Sequence, residues 1–182
     1  MDINEPLIEQ IRKNDRKTIL TLYNETFSVL MSVAVRYNNN EEDQMTIVNN
    51  SFMKIITKID QYKVGSSFFS WAKRIGQNEI IDQFRKEKNY KELFQFDAEN
   101  ELKQESTVEN SIDEKIEAEE LERILHQLPN ATKVVFNMYA IDGYSTKEIQ
   151  KELNIKYETV KWHIKEARKK LRVLMAPEME TK

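Results

Sequence analysis

Apolar residues at Ile19, Leu22, Tyr23, Phe27, Leu30, Val33, Ala34 and Tyr37 return every three or four positions, the spacing of one stripe on a long helix. Asn38-Asn39-Asn40 interrupts it. Met45, Val48, Phe52, Ile55 and Ile59 trace a second helix, and Phe68, Ala72, Ile75, Ile80 and Phe84 a third that ends in Arg85-Lys86-Glu87-Lys88. Between these two, Asp60 to Ser67 contains Gly65, Ser66 and Ser67 and reads as a loop. The three stripes predict a small helical bundle over residues 1–92.

Residues 93–117 carry a weak apolar pattern and heavy acidity, the mark of a flexible linker. Apolar periodicity resumes at Leu121, Ile124, Leu125 and Leu128, stops at Pro129, and continues through Val134, Val135, Met138 and Tyr139 to the turn Asp142-Gly143. Ser145-Thr146-Lys147-Glu148 has the form of a capping box and opens a short helix carrying Ile149 and Leu153. Asn154, tolerant of a left-handed backbone, ends that helix. Val160, Ile164, Ala167, Leu171 and Leu174 then fall on one face of a long helix. A short helix, a tight turn and a longer helix with a basic outer face form a helix-turn-helix layout, here over residues 118–176, with 177–182 as a tail. The fold class expected is all-α: two small helical domains joined by an acidic linker.

Composition narrows the chemistry. The chain has 182 residues, no Cys, three Gly and three Pro, and a formal net charge of −3. Absence of Cys excludes disulfides, thiol nucleophiles and thiolate-bound metals. The few glycines show neither dinucleotide-binding nor Walker spacing, and the two histidines, His126 and His163, are far apart on separate helices. No catalytic constellation, metal site or cofactor is expected. No apolar run is expected to reach the roughly 18 residues of a membrane span, and the N-terminus lacks a signal peptide's basic start and apolar stretch. A cytoplasmic location follows as the expectation.

The small net charge conceals a segregation. From Asp97 to Glu122 eleven acids face two bases, a net of −9, whereas from Lys151 to Arg172 eight bases face three acids, a net of +5. Such segregation suits a polyanion-binding end and a solvated or polyanion-mimicking middle.

Two blocks together resemble a family. Leu128-Pro129, Val134-Val135-Phe136, Asp142-Gly143-Tyr144-Ser145-Thr146-Lys147-Glu148-Ile149, Thr159-Val160-Lys161 and Ala167-Arg168-Lys169-Lys170-Leu171-Arg172 resemble region 4 of bacterial sigma factors. Ser51-Phe52-Met53-Lys54, Phe68-Phe69-Ser70-Trp71-Ala72 and Asn78 with Ile81-Asp82 and Arg85-Lys86 resemble region 2. With only an acidic linker between the blocks, the chain resembles an extracytoplasmic-function (ECF) sigma factor. That resemblance implies binding to core RNA polymerase, delivery to promoter DNA and help in melting it, with an anti-sigma factor as a further candidate partner.

Residue by residue, the resemblance implies that Asn78 receives a flipped minus-ten base, its amide donating and accepting at once. Ser66 and Ser67 belong to the loop walling that pocket, Phe69 and Trp71 offer stacking surfaces, and Arg85 and Lys86 meet phosphates. Lys161, Trp162, Lys165 and Glu166 fall on base-reading positions for the minus-35 element, with Thr159, His163 and Arg168 beside them. Thr46, Asn49, Asn50 and Phe52 stand at the polymerase-binding positions, where the usual acidic signature is replaced by neutral polar residues. Lys156 replaces the usual Ser cap of the recognition helix. Two rivals remain: a stand-alone helix-turn-helix regulator, which leaves the region 2 block unexplained, and a helical adaptor without a nucleic-acid role.

Overall fold

Asn4 opens the first helix by accepting the Leu7 N–H at 3.1 Å, with Pro6 in the first turn where its missing N–H costs nothing. This is the computed structural model of the chain, and it describes residues 3–86, 94 and 123–179. The chain divides into two units, residues 1–84 and 85–182. The boundary falls near the end of a helix. The expected linker, 93–117, lies outside the described residues apart from Phe94.

Helices α1 (Glu5–Arg12), α2 (Arg16–Tyr37), α3 (Glu41–Thr57) and α4 (Phe68–Lys86) build the first unit, with a single 3-10 turn at Ile59–Gln61. The stripes predicted α2, α3 and α4. They did not announce α1, which is short and buries only Ile8 and Ile11. Asp15 caps α2 by accepting the Thr18 N–H at 2.8 Å, and Asn40 caps α3 by accepting the Asp43 N–H at 3.1 Å. Glu41, Glu42 and Asp43 place three acids at the positive end of α3. Leu22, Leu30, Val33, Ala34, Val48, Ile55 and Ala72 form the almost fully buried centre. Burying a side chain of the Val, Leu or Ile type contributes about 1.5–3 kcal/mol. Gly76 lets α4 approach α2 closely: a Cβ there would sit 3.3 Å from Leu30 Cδ2.

One expectation is corrected by α2. It is long and apolar enough, by length and composition, to cross a membrane. Here its face with Leu22, Leu30, Val33 and Ala34 is spent on the bundle core, the ordinary reason for such composition in a packed helix.

In the second unit residues 123–125 are helical, followed by α5 (Asn130–Phe136), a π-helical turn (Asn137–Ile141), α6 (Thr146–Leu153) and α7 (Tyr157–Met179). Ile124, Leu125, Leu128, Phe136, Ala167 and Leu171 form its core, with Ile141, Leu174 and Met175 packed against it. The π turn closes with the Asp142 N–H donating to the Asn137 carbonyl at 2.9 Å, and Gly143 adopts φ +78° where an L side chain is strained. Both bonds of the capping box form: Glu148 N–H to Ser145 Oγ at 3.3 Å, and Ser145 N–H to Glu148 Oε2 at 2.8 Å. Asn154 adopts φ 47°, ψ 46° and stops α6 as expected. The last helix runs to Met179, into the segment expected as a tail. Among the described residues there is no strand, and the architecture is all-α.

Candidate nucleic-acid interface

In the first unit the loop before α4 is held by its own hydrogen bonds. Tyr62 Oη donates to the Ser66 carbonyl at 2.6 Å, Ser66 Oγ donates to the Lys63 carbonyl at 2.6 Å, and Gly65 takes φ +88°. Ser67 Oγ receives the Ser70 N–H at 3.4 Å and the Ser70 hydroxyl at 2.9 Å, fixing the entry to α4. Ser66 and Ser67 are exposed. Behind them Tyr62, Phe68 and Trp71 form an aromatic corner, with ring centroids 5.2 Å apart for Tyr62–Phe68, 5.5 Å for Tyr62–Trp71 and 5.7 Å for Phe68–Trp71. Phe68 is buried, whereas Phe69 and Trp71 are half-buried and keep ring surface in reach of solvent.

Trp71, Asn78 and Arg85 recur at intervals of seven, so they share one stripe of α4. Asn78, Arg85 and Lys86 are exposed. Arg74 is exposed on the same stripe between Trp71 and Asn78, a residue that sequence reasoning passed over. Its signal was available as the i+3 position from Trp71. An aromatic edge, the exposed Arg74 guanidinium and an exposed amide are groups of the kind that stack on bases, contact phosphate and hydrogen-bond base edges, while Arg85 is paired with Glu152 at 3.2 Å.

On α3, Thr46, Asn49 and Asn50 are exposed, and Asn49 Oδ1 accepts the Tyr23 hydroxyl at 3.1 Å. Phe52 requires correction. It is 6% exposed and packs edge-on against Tyr23 at 5.0 Å, so it supports the helix pair and offers no face to a partner. Met53, the next residue, is exposed instead.

In the second unit the box-capped α6 and the left-handed Asn154 aim α7. Lys161, Lys165, Lys169 and Arg172 are exposed and follow one another at intervals of four, four and three, one basic stripe of α7. Lys161 Nζ stands 5.8 Å from the Tyr157 ring centroid, and Arg168 packs at 5.7 Å over Tyr139. Trp162 and Glu166 are half-buried, and Glu166 pairs with Lys170 at 3.6 Å.

Two expected members of this surface face the other way. Thr159 is 5% exposed and His163 3% exposed. Each lies beside Val160 and Ala167 on the inward side of α7, where the apolar stripe is wider than its aliphatic residues suggest. His163 Nδ1 sits 3.0 Å from Thr132 Oγ1, and its ring meets Phe94 edge-on at 5.3 Å and Trp162 at 4.8 Å. Burial pushes the imidazole pKa down to about 4, so the ring is neutral near pH 7 and lends no charge to a phosphate. Burial likewise lowers the Lys133 pKa. Among the described residues no cluster of three or more His, Asp or Glu is arranged to hold a metal ion.

Comparison with known proteins adds an independent line. The Sigma-70 region 2 family matches residues 22–90, and the Sigma-70 region 4 family matches residues 118–171. The ECF RNA polymerase sigma-E factor of Haemophilus influenzae is 26% identical over 189 aligned positions, covering 97% of each chain. The ECF RNA polymerase sigma factor SigW of Bacillus subtilis is 26% identical over 176 positions, covering 91% of this chain and 92% of its own. In fold, the chain resembles the sigma factor RpoE solved in complex with the anti-sigma factor NepR from Bartonella quintana. That match has a TM-score of 0.50 and 19% identity, covering 90% of this chain and 98% of the other.

Proposed function

The chain belongs to the ECF sigma factors of RNA polymerase, and from this membership we propose how its surfaces divide the work of initiation. The exposed stripe Trp71–Asn78–Arg85 on α4 reads and holds the opened minus-ten strand. Asn78 takes a base edge, Trp71 and Phe69 give stacking surface, and Arg74, Arg85 and Lys86 meet phosphates. The basic stripe of α7 grips the upstream duplex. Lys161 and Lys165 face base edges and phosphates, and Lys169 and Arg172 fix the register. Thr46, Asn49 and Asn50, with Met53 in place of Phe52, lie on the exposed side of α3 that meets core polymerase.

The observation that carries this division is the exposure of Asn78 and of the four α7 bases on helices whose opposite faces are packed. Promoter opening belongs to the assembled holoenzyme, and the sigma subunit contributes binding without bond chemistry of its own. The partners are core RNA polymerase and promoter DNA, the working compartment is the cytoplasm, and an anti-sigma factor is a further candidate partner. A stand-alone regulator would use the second unit and leave residues 22–90 without a role.

Run-off transcription with purified bacterial core enzyme across promoter fragments tests the reading. A transcript that requires this chain is expected, with loss of duplex opening in Asn78→Ala. Transcription independent of the chain overturns it.

A further inference from the structure

Behind the exposed faces of α3 and α4 lies a polar cluster whose charged members, Lys54, Glu79 and Asp82, the division of labour above leaves unused. Glu79, the residue after Asn78, turns its carboxylate inward and is buried. Its Oε2 accepts Lys54 Nζ at 2.6 Å, and its Oε1 accepts Asn50 Nδ2 at 3.1 Å and Gln83 Nε2 at 2.9 Å. Lys54 Nζ reaches on to Asp82 Oδ2 at 2.9 Å. Burial disfavours the charged lysine, but the two carboxylates outweigh it and hold the ammonium's pKa above its ordinary value. One ammonium from α3 therefore spans two acids one turn apart on α4.

The geometry is that of a strut. Asn50 and Lys54 are one turn apart on α3, so Glu79 is held at two points along that helix. Apolar contacts tolerate small slides and rotations of a helix, whereas charge-assisted bonds fix direction. A half-buried ion pair is also a poor source of net stability compared with an apolar pair of similar volume, so its value lies in geometry.

We propose that Lys54 and Glu79 are positioning residues for strand opening: they lock α4 to the polymerase-facing helix α3 and set the angle at which Asn78 meets its base. This rests on the assignment of base reading to Asn78. Core polymerase bound along Thr46, Asn49 and Asn50 would thereby hold α4 through the same helix it grips.

The test compares holoenzymes carrying Lys54→Met, Glu79→Gln, Lys54→Arg and Asn78→Ala on a duplex promoter and on a template already unpaired across the minus-ten region. Core binding is followed by fluorescence anisotropy, opening by 2-aminopurine emission, and folding by thermal melting. Lys54→Met and Glu79→Gln are expected to hold core affinity while losing about tenfold in duplex opening, the size of a typical coupling between contacting groups. They should regain most of the loss on the unpaired template. Lys54→Arg, which keeps the charge and the donors, should retain opening. If Glu79→Gln does not fold, Lys54→Met decides, because that side chain is about one-third exposed. Equal losses on both templates, a parallel loss of core affinity, or undiminished duplex opening overturns the strut. Wild-type opening by Asn78→Ala overturns the base-reading assignment beneath it, a separate result from wild-type opening by Lys54→Met.

Discussion

Thr132 Oγ1 and His163 Nδ1 lie 3.0 Å apart inside the second unit, while the ring's other nitrogen, Nε2, is buried and has no hydrogen-bond partner among the described residues. A histidine in the middle of the basic helix α7 thus belongs to the packing and adds no charge to its exposed lysine stripe.

The pH dependence follows from that placement. The folded ring has a pKa of about 4, against about 6.5 for a free histidine. Between those values the unfolded chain binds the proton and the folded unit does not, so stability falls as pH drops. The contribution is complete above about pH 6.5 and lost progressively toward pH 4, up to about 3 kcal/mol. Thermal melting at pH 7.5 and pH 5 should show a larger drop for wild type than for His163→Phe. An equal drop in both would place the titration elsewhere.

Gly76 is expected to reject a larger side chain. A Cβ at this position already stands 3.3 Å from Leu30 Cδ2 and 3.8 Å from Ser51 Oγ. Further carbons have nowhere to go among fully buried neighbours, and overpacking of this kind costs about 1–3 kcal/mol. Gly76→Leu should lower the urea midpoint accordingly. An unchanged midpoint would mean that α2 and α4 separate easily.

The turn that aims α7 has separable contributions. Ser145→Ala removes the cap on α6 and should cost about 1 kcal/mol. Asn154→Gly should be neutral or mildly stabilising, whereas Asn154→Ala should cost about 1 kcal/mol, because φ 47° is a strained conformation for a residue with a Cβ. Chemical denaturation of the three variants gives the comparison, and a destabilised Asn154→Gly would contradict it.

Salt dependence distinguishes the exposed bases of α7 from the buried ring. Lys161→Ala and Lys165→Ala should each flatten the slope of log affinity against log salt by about 0.9 for holoenzyme on upstream duplex. His163→Phe should leave that slope unchanged. A slope altered by His163→Phe would return the ring to the DNA-facing surface.

Local signals carried much of the fold in the sequence. The capping box at Ser145 and Glu148 and the left-handed Asn154 are each written within a few residues, and both form as expected. The long stripes of α2, α3, α4 and α7 were legible because an apolar face recurs over many turns. Helix α1 was not, since two buried isoleucines in eight residues give too short a period. The burial of Thr159 and His163 is not legible from residue type, which points polar side chains outward, although His163 follows Val160 by three and precedes Ala167 by four. Phe52 was assigned to a partner by family position while its own spacing placed it in the α3 stripe. The exposure of Asn78 and of the α7 lysines was legible from their spacing against the apolar stripes.

The π turn at Asn137–Ile141 places a widened coil ahead of α6 and α7. Each residue of a helix advances the chain by about 100° around its axis. Excising one position there would tighten the coil and swing the start of the following turn by more than a quarter circle. The lysine row would then have to find a different bearing, or Gly143 and the buried leucines would have to absorb the rotation. That widened coil thus acts as a fixed angular offset, setting the heading of everything after it.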